Sequence, residues 1–293
     1  MSLEKNDITE KLNSIDNLPT LPTIASQLLD LLGDNNSSMM SIAKIISADP
    51  SLTSKVLRIA NSAYYGMRKK IDTIKLSLVI LGIEEVTNII LSISLFKTFQ
   101  SDTSSSSLDL EKFWEHSLAT AHISRLLCRV LRIRMHGEEF TAGLIHDIGK
   151  IIFEQYFFED YCEINDKILK DKLINYKVEE DFLGVNHMDI GAWLAEKWKL
   201  PSNLVESIRF HHFPKLAEES PILSAIVSLA DKFVKQNEIG QSINFEEIDL
   251  ENAEAWDIIK EYSPRYINLD IEKTITDVNK EIEKIPSFLS IIK

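Results

Sequence analysis

Leu76-Ser77-Leu78-Val79-Ile80-Leu81-Gly82-Ile83-Glu84-Glu85-Val86-Thr87-Asn88-Ile89-Ile90-Leu91-Ser92-Ile93-Ser94-Leu95-Phe96 is the stretch on which the fold turns. It is long and apolar enough to resemble a membrane span, yet Glu84, Glu85 and Asn88 stand near its middle. Each charge there would cost ~2.5–3.5 kcal/mol on insertion scales. Two buried helices split at Gly82 avoid that cost. They place both glutamates in the first turn of the second helix, where the helix dipole favours negative charge. The pattern therefore predicts a soluble helical protein.

The surrounding sequence extends the same reading. Leu18-Pro19-Thr20-Leu21-Pro22 is a stiff lead into a helix carrying Ile24, Leu28, Leu31 and Leu32, stopped by Gly33-Asp34-Asn35-Asn36. Ser41 to Ile46 reads as a short helix. Asp49-Pro50 opens another, with Leu52, Val56, Ile59, Ala60 and Ala63 on one face and Gly66 as its cap. Residues 18–100 are thus expected to form an N-terminal helical subdomain. The polar run Ser101 to Ser107 reads as a linker. A second helical subdomain is expected over 108–240, with helices over 110–132, 138–147, 179–186, 189–198, 202–211 and 221–236. An acidic helical tail follows over 241–293. No stretch shows sustained strand alternation, and no internal repeat or glycine-rich phosphate loop occurs. The expected fold is all-α, with two packed helical subdomains.

Composition agrees. Nine glycines and eight prolines among 293 residues are about half the average share, so few turns and long elements are expected. Forty-five acidic residues against 32 basic ones leave a net charge of −13, which disfavours nucleic acid and anionic membrane as partners. It also argues against a DNA-reading role for the first subdomain. Two cysteines, Cys128 and Cys162, exclude a disulfide framework and fit a reducing cytosol. The polar start Met1-Ser2-Leu3-Glu4-Lys5-Asn6-Asp7 does not lead into a signal peptide, so a cytoplasmic location is expected.

All seven histidines lie between positions 116 and 212. Five of them sit in settings that suit metal ligation: His116 after Glu115, His146 with Asp147, His187, and the His211-His212 pair. Asp147 follows His146 directly, and Asp231 interrupts an otherwise apolar helix. Imidazole nitrogen and carboxylate oxygen suit divalent cations such as manganese, iron, zinc, nickel or magnesium. The spacing forbids a local chelate, so the groups must converge inside a bundle, each helix giving one or two inward side chains. Asp147 has two oxygens and can bridge two ions. Lys150 can offer a cation to an anionic ligand. The competing reading is a hydrogen-bonded polar core without metal.

These residues carry a family resemblance. Gly143-Leu144-Ile145-His146-Asp147-Ile148-Gly149-Lys150 resembles the signature of HD-domain metal-dependent phosphohydrolases, whose His, His-Asp, Asp pattern maps to His116, His146 with Asp147, and Asp231. The extra histidines His187, His211 and His212 resemble further ligands of the HD-GYP branch. That branch continues into Asp-Gly-x-Gly-Tyr-Pro, whereas this chain reads Phe213-Pro214-Lys215-Leu216-Ala217, so cyclic di-guanylate hydrolysis is not implied. Leu21-Pro22, Asp49-Pro50-Ser51-Leu52, Leu57-Arg58-Ile59-Ala60-Asn61-Ser62, Leu81-Gly82-Ile83-Glu84-Glu85-Val86, Gly191-Ala192-Trp193-Leu194-Ala195 and His211-His212-Phe213-Pro214 together resemble the HDOD domain over about 18–231. The resemblance implies a bacterial signal-transduction output module whose His/Asp centre holds one or two divalent cations and binds a ligand or a signalling protein partner. It leaves an alternative, an active phosphohydrolase acting on a nucleotide or phosphoester, with Asp147 and Lys150 as its catalytic residues.

Overall fold

The computed structural model describes residues 12, 18–33, 39–62, 65–99, 107–240 and 244–282. Much of the expected linker (101–106), the helix stop at 34–36, Ala63 and the last residues of the tail (283–293) lie outside them. The apolar stretch does break at Gly82. Helix α4 spans Ile74–Leu81 and α5 spans Ile83–Thr98, bent by 119° from one another. Gly82 takes φ +91°, a left-handed backbone that glycine adopts without strain. Thr73 caps α4 by accepting from Leu76 N at 3.2 Å. Glu84 and Glu85 occupy the first turn of α5, as the dipole argument requires. From Val86 to Ile93 every residue of α5 is buried, polar ones included, because neighbouring helices surround it. Among the described residues no single helix is long and apolar enough to cross a membrane.

Around α5 pack α1 (Thr23–Gly33), α3 (Pro50–Ala60) and α4, while α2 (Met39–Ser47) lies against α1, α3 and α4. Asp49 caps α3 through Leu52 N at 3.0 Å, with Pro50 at the first helical position. The helix stops at Asn61, earlier than Gly66. The Asn61 amide donates to the carbonyls of Leu57 and Ile71, 2.7 Å each, and its oxygen accepts from Ile71 N at 2.7 Å. That clasp closes the turn carrying the exposed Arg68, Lys69 and Lys70.

The second part is built on α6 (Leu110–Leu131), the longest helix described. Helix α7 (Glu138–Ile145) lies close against it, because a Cβ on Gly143 would stand 2.8 Å from Ala121 Cα. Next come α8 (Gly149–Tyr156), α9 (Phe158–Asp171), α10 (Asn175–Leu183), α11 (His187–Lys197), α12 (Ser202–Phe210) and α13 (Pro221–Gln236). The sequence pattern did not reveal α8 and α9. It placed Gly149 at a helix end, whereas Gly149 begins one. Helices α14 (Ala255–Tyr262) and α15 (Ile271–Ile282) follow, and Trp256, Ile259 and Val278 from them enter the common core. Tyr266 and Arg265 donate to the carbonyls of Leu131 and Arg132, at 2.8 and 2.7 Å. They serve the end of α6, where carbonyls have no helical partner. Across the two parts, Glu85 of α5, which also accepts from Tyr65 within the first part, pairs with Arg125 of α6, and Trp198 Nε1 donates to Pro19 O at 2.8 Å. Among the described residues there is no strand, and the fold is all-α.

Candidate metal centre

Two close backbone approaches and one turn bring the His/Asp groups together. The turn His146-Asp147-Ile148 links α7 to α8, and Gly149 sets the start of α8 directly on α11. A Cβ at Gly149 would lie 2.0 Å from His187 O and 2.8 Å from Gly191 N. Only glycine permits that contact, and the contact places Asp147 beside His187. A Cβ at Gly240 would lie 2.3 Å from His116 N, so the chain leaving α13 runs against α6 at His116. His187 opens α11 behind the Asn186 cap, His211 closes α12, His116 lies within α6 and Asp231 within α13.

Asp147 stands at the middle. Its Oδ2 lies 3.7 Å from His116 Nε2 and 3.5 Å from His146 Nε2. Its Oδ1 lies 3.3 Å from His187 Nε2 and 3.7 Å from His211 Nε2. Asp231 Oδ1 joins the first pair, 3.0 Å from His116 Nε2 and 3.7 Å from His146 Nε2. His116, His146 and Asp231 thus form one group, and His187, His211 and His212 another, each with ligand atoms within 4.8 Å of one another. All seven ligands expected from sequence converge, with Asp147 between the two groups.

Hydrogen bonds fix the histidine tautomers. His146 Nδ1 donates to Gly143 O and His211 Nδ1 to Ile208 O, both at 2.8 Å, and a carbonyl can only accept. His187 Nδ1 donates to Glu179 Oε2 at 2.6 Å, and the same oxygen accepts His187 N at 2.8 Å. In each ring the proton sits on Nδ1, so the Nε2 lone pair faces the centre, which is how metal-ligating histidines are oriented. Asp147 Oδ1 and the Nε2 atoms of His187, His211 and His212 are buried without a hydrogen-bond partner. Four such atoms around one point are costly in a protein core and suit a divalent cation with nitrogen and oxygen ligands. The residues therefore fit a metal.

The electrostatics follow from burial. Burial disfavours the Asp147 carboxylate, yet the Lys150 ammonium beside it outweighs this and holds its pKa well below the ordinary value. Asp231 behaves likewise: burial opposes its charge, and Lys235 with His116 and His146 overcomes this. Burial pulls His211 and His212 well down and lowers His116 despite its hydrogen bond to Asp231, so these rings are neutral. Lys150, in the first turn of α8, is buried and donates to Asp147 Oδ2 at 2.6 Å. It therefore faces the cluster and not a helix C-terminus.

Sequence reasoning missed three residues here. Lys235 donates to Asp231 Oδ2 at 2.6 Å and had a readable signal, the i,i+4 spacing from Asp231. Glu179 and Glu246 had none, since tertiary packing alone brings them in. Glu246, in the segment after 244, lies 3.6 Å from Lys235 Nζ, 3.3 Å from Lys232 Nζ and 3.8 Å from His212 Nδ1. The centre opens into a cavity of about 590 Å³ lined by Lys112, Lys150, Tyr161, Asn165, Lys235 and Glu246, among others. That is an ordinary size for a small-molecule site. His122 takes no part: it is buried with its ring edge-on to Phe140, 5.2 Å between centroids.

Comparison with known proteins places the fold. A model of the HDOD domain matches residues 18–214, ending before Asp231. A curated but uncharacterized protein of Treponema pallidum (strain Nichols) is 24% identical over 223 residues, covering 75% of this chain and 43% of that protein. The chain thus spans less than half that relative's length. Of solved structures, an HDOD domain protein of unknown function from Geobacter sulfurreducens superposes with a TM-score of 0.86 at 23% identity, over 97% of this chain and 96% of its own. A Shewanella amazonensis SB2B protein, provisionally named a phosphohydrolase, superposes with a TM-score of 0.71 at 23% identity, over 97% and 98%. At such identities the superpositions speak to the fold alone. With the family model covering most of its length, the chain belongs to the HDOD domain family.

Proposed function

We propose that this protein is a bacterial signal-transduction output module whose His/Asp centre holds divalent metal and, through it, binds a phosphate-bearing ligand in the adjoining cavity. The observation that carries the reading is the convergence of histidine Nε2 lone pairs on both oxygens of Asp147, with four buried ligand atoms left without partners. One or two ions, drawn from manganese, iron, zinc, nickel or magnesium, would be held by His116, His146 and Asp231, by His187, His211 and His212, and by Asp147 between them. Such ions supply Lewis-acid charge for phosphoryl oxygens. Around them, Glu179 holds the His187 ring, Lys150 holds Asp147, and the cavity gives the ligand its room. A cytoplasmic location and a signalling protein as partner complete the proposal.

A second reading, a metal-dependent phosphohydrolase, is favoured by one feature. The cavity reaches both Asp147 and Lys150, so a phosphoester bound there would touch the residues assigned to catalysis. The two readings part on turnover. Protein loaded with manganese or iron is offered a panel of nucleotides and phosphoesters, with binding and phosphate release both followed. Binding that disappears when the metal is chelated, without hydrolysis, supports the module. Hydrolysis lost in Asp147→Asn and Lys150→Ala puts the phosphohydrolase first. Ligand binding unchanged by chelation contradicts both.

A further inference from the structure

Lys235 is an unusual neighbour for a metal centre. Its side chain is 8% exposed, and its ammonium lies 2.6 Å from Asp231 Oδ2. A fixed positive charge there repels any divalent ion that uses the other oxygen of the same carboxylate. It also has a second acceptor within reach, Glu246 Oε2 at 3.6 Å, on a separate segment of chain. Lys150, by contrast, has only Asp147 as an ion-pair partner among the described residues.

We propose that Lys235 is a resident counter-cation of the metal-free centre, which neutralises Asp231 until a divalent ion takes that carboxylate and which then transfers its hydrogen bond to Glu246. The inference rests on the metal reading and deepens it. Without metal, an unpaired Asp231 would be a buried uncompensated charge, a severely destabilising condition, so Lys235 allows the empty centre to stay folded. The cost is weaker metal binding, which makes the site exchangeable, filling and emptying with cation supply. The move to Glu246 also strengthens that residue's hold on α13, since Glu246 already pairs with Lys232. Metal occupancy is thereby coupled to the segment that walls the cavity and leads to α14.

The test is a Mn²⁺ titration by calorimetry on the chelator-stripped full chain. Lys235→Gln should bind Mn²⁺ at least about tenfold more tightly than wild type. Lys235→Arg keeps the charge and strengthens the pair through its forked geometry, and should bind at least about threefold more weakly. It keeps the test decisive if the glutamine variant does not fold. Lys232→Gln, beside the same glutamate but away from Asp231, should stay within about threefold of wild type. If wild type binds Mn²⁺ and Lys235→Gln binds it equally or more weakly, Lys235 positions Asp231 and the counter-cation account is overturned while the metal reading stands. If neither wild type nor Lys235→Gln binds Mn²⁺, the metal reading itself fails and takes this inference with it.

Discussion

Replacing Gly149 by alanine tests how the backbone assembles the centre. An added Cβ would meet His187 O at 2.0 Å and Gly191 N at 2.8 Å, both main-chain atoms that cannot swing aside as a side chain would. Ordinary van der Waals contact begins near 3.4 Å, so α8 and α11 must part by about 1.4 Å. Overpacking against flexible side chains costs ~1–3 kcal/mol, and a clash with fixed backbone belongs at or above the upper end. We expect Gly149→Ala to lose about 3 kcal/mol in urea denaturation, with the melting temperature falling by about 5–10 °C. Because Asp147 and His187 sit on opposite sides of this contact, 3.3 Å apart, the same step should weaken metal binding by tenfold or more, read by Mn²⁺ titration of the folded fraction. A variant that unfolds within 0.5 kcal/mol of wild type and binds metal equally would show that the contact does not set the geometry.

Other consequences are open to direct measurement. Glu179→Ala removes the acceptor holding the His187 ring and should weaken Mn²⁺ binding about 10–100-fold, with Glu179→Gln restoring part of it; equal affinities would refute the role. Asn61→Ala removes three hydrogen bonds of 2.7 Å and should cost about 2–3 kcal/mol in urea denaturation of the metal-free protein. Burial lowers the pKa of His116, His122, His211 and His212, so the unfolded chain gains protons first as pH falls below about 6.5. Metal-free stability should then drop by up to about 1.4 kcal/mol per histidine per pH unit, and a flat profile from pH 7 to 5.5 would contradict it. Burial, with Glu139 and Glu138 adding to it, pushes the Cys128 thiol up, whereas Cys162 is partly exposed. A thiol reagent should label Cys162 in the native protein and leave Cys128 untouched until unfolding.

The fold was legible where one signal settled the matter. Charges inside an apolar stretch forced the break at Gly82, and caps such as Asp49 with Pro50 marked helix starts. It was less legible between 149 and 171, where α8 and α9 meet at Phe157 with no glycine or proline to mark the boundary. Gly149 misled for a physical reason. Glycine usually ends a helix, but here its missing side chain admits the backbone of α11 against the start of α8. The site was legible as residue types, since His116, His146, Asp147, His187, His211, His212 and Asp231 all meet. What holds them was not. Glu179 orients His187 from eight residues upstream, and Glu246 reaches Lys235 from beyond the end of α13. No sequence period encodes either pairing.

The central claim is that the cluster binds metal. Its most direct test is the divalent metal content per chain of protein purified without chelator, beside a His146→Ala, Asp147→Ala variant of equal helical content. The account predicts one or two ions per wild-type chain and their loss from the variant. Wild-type protein that carries no metal, and takes up none when manganese, iron or zinc is supplied, would contradict it and leave the cluster a hydrogen-bonded core.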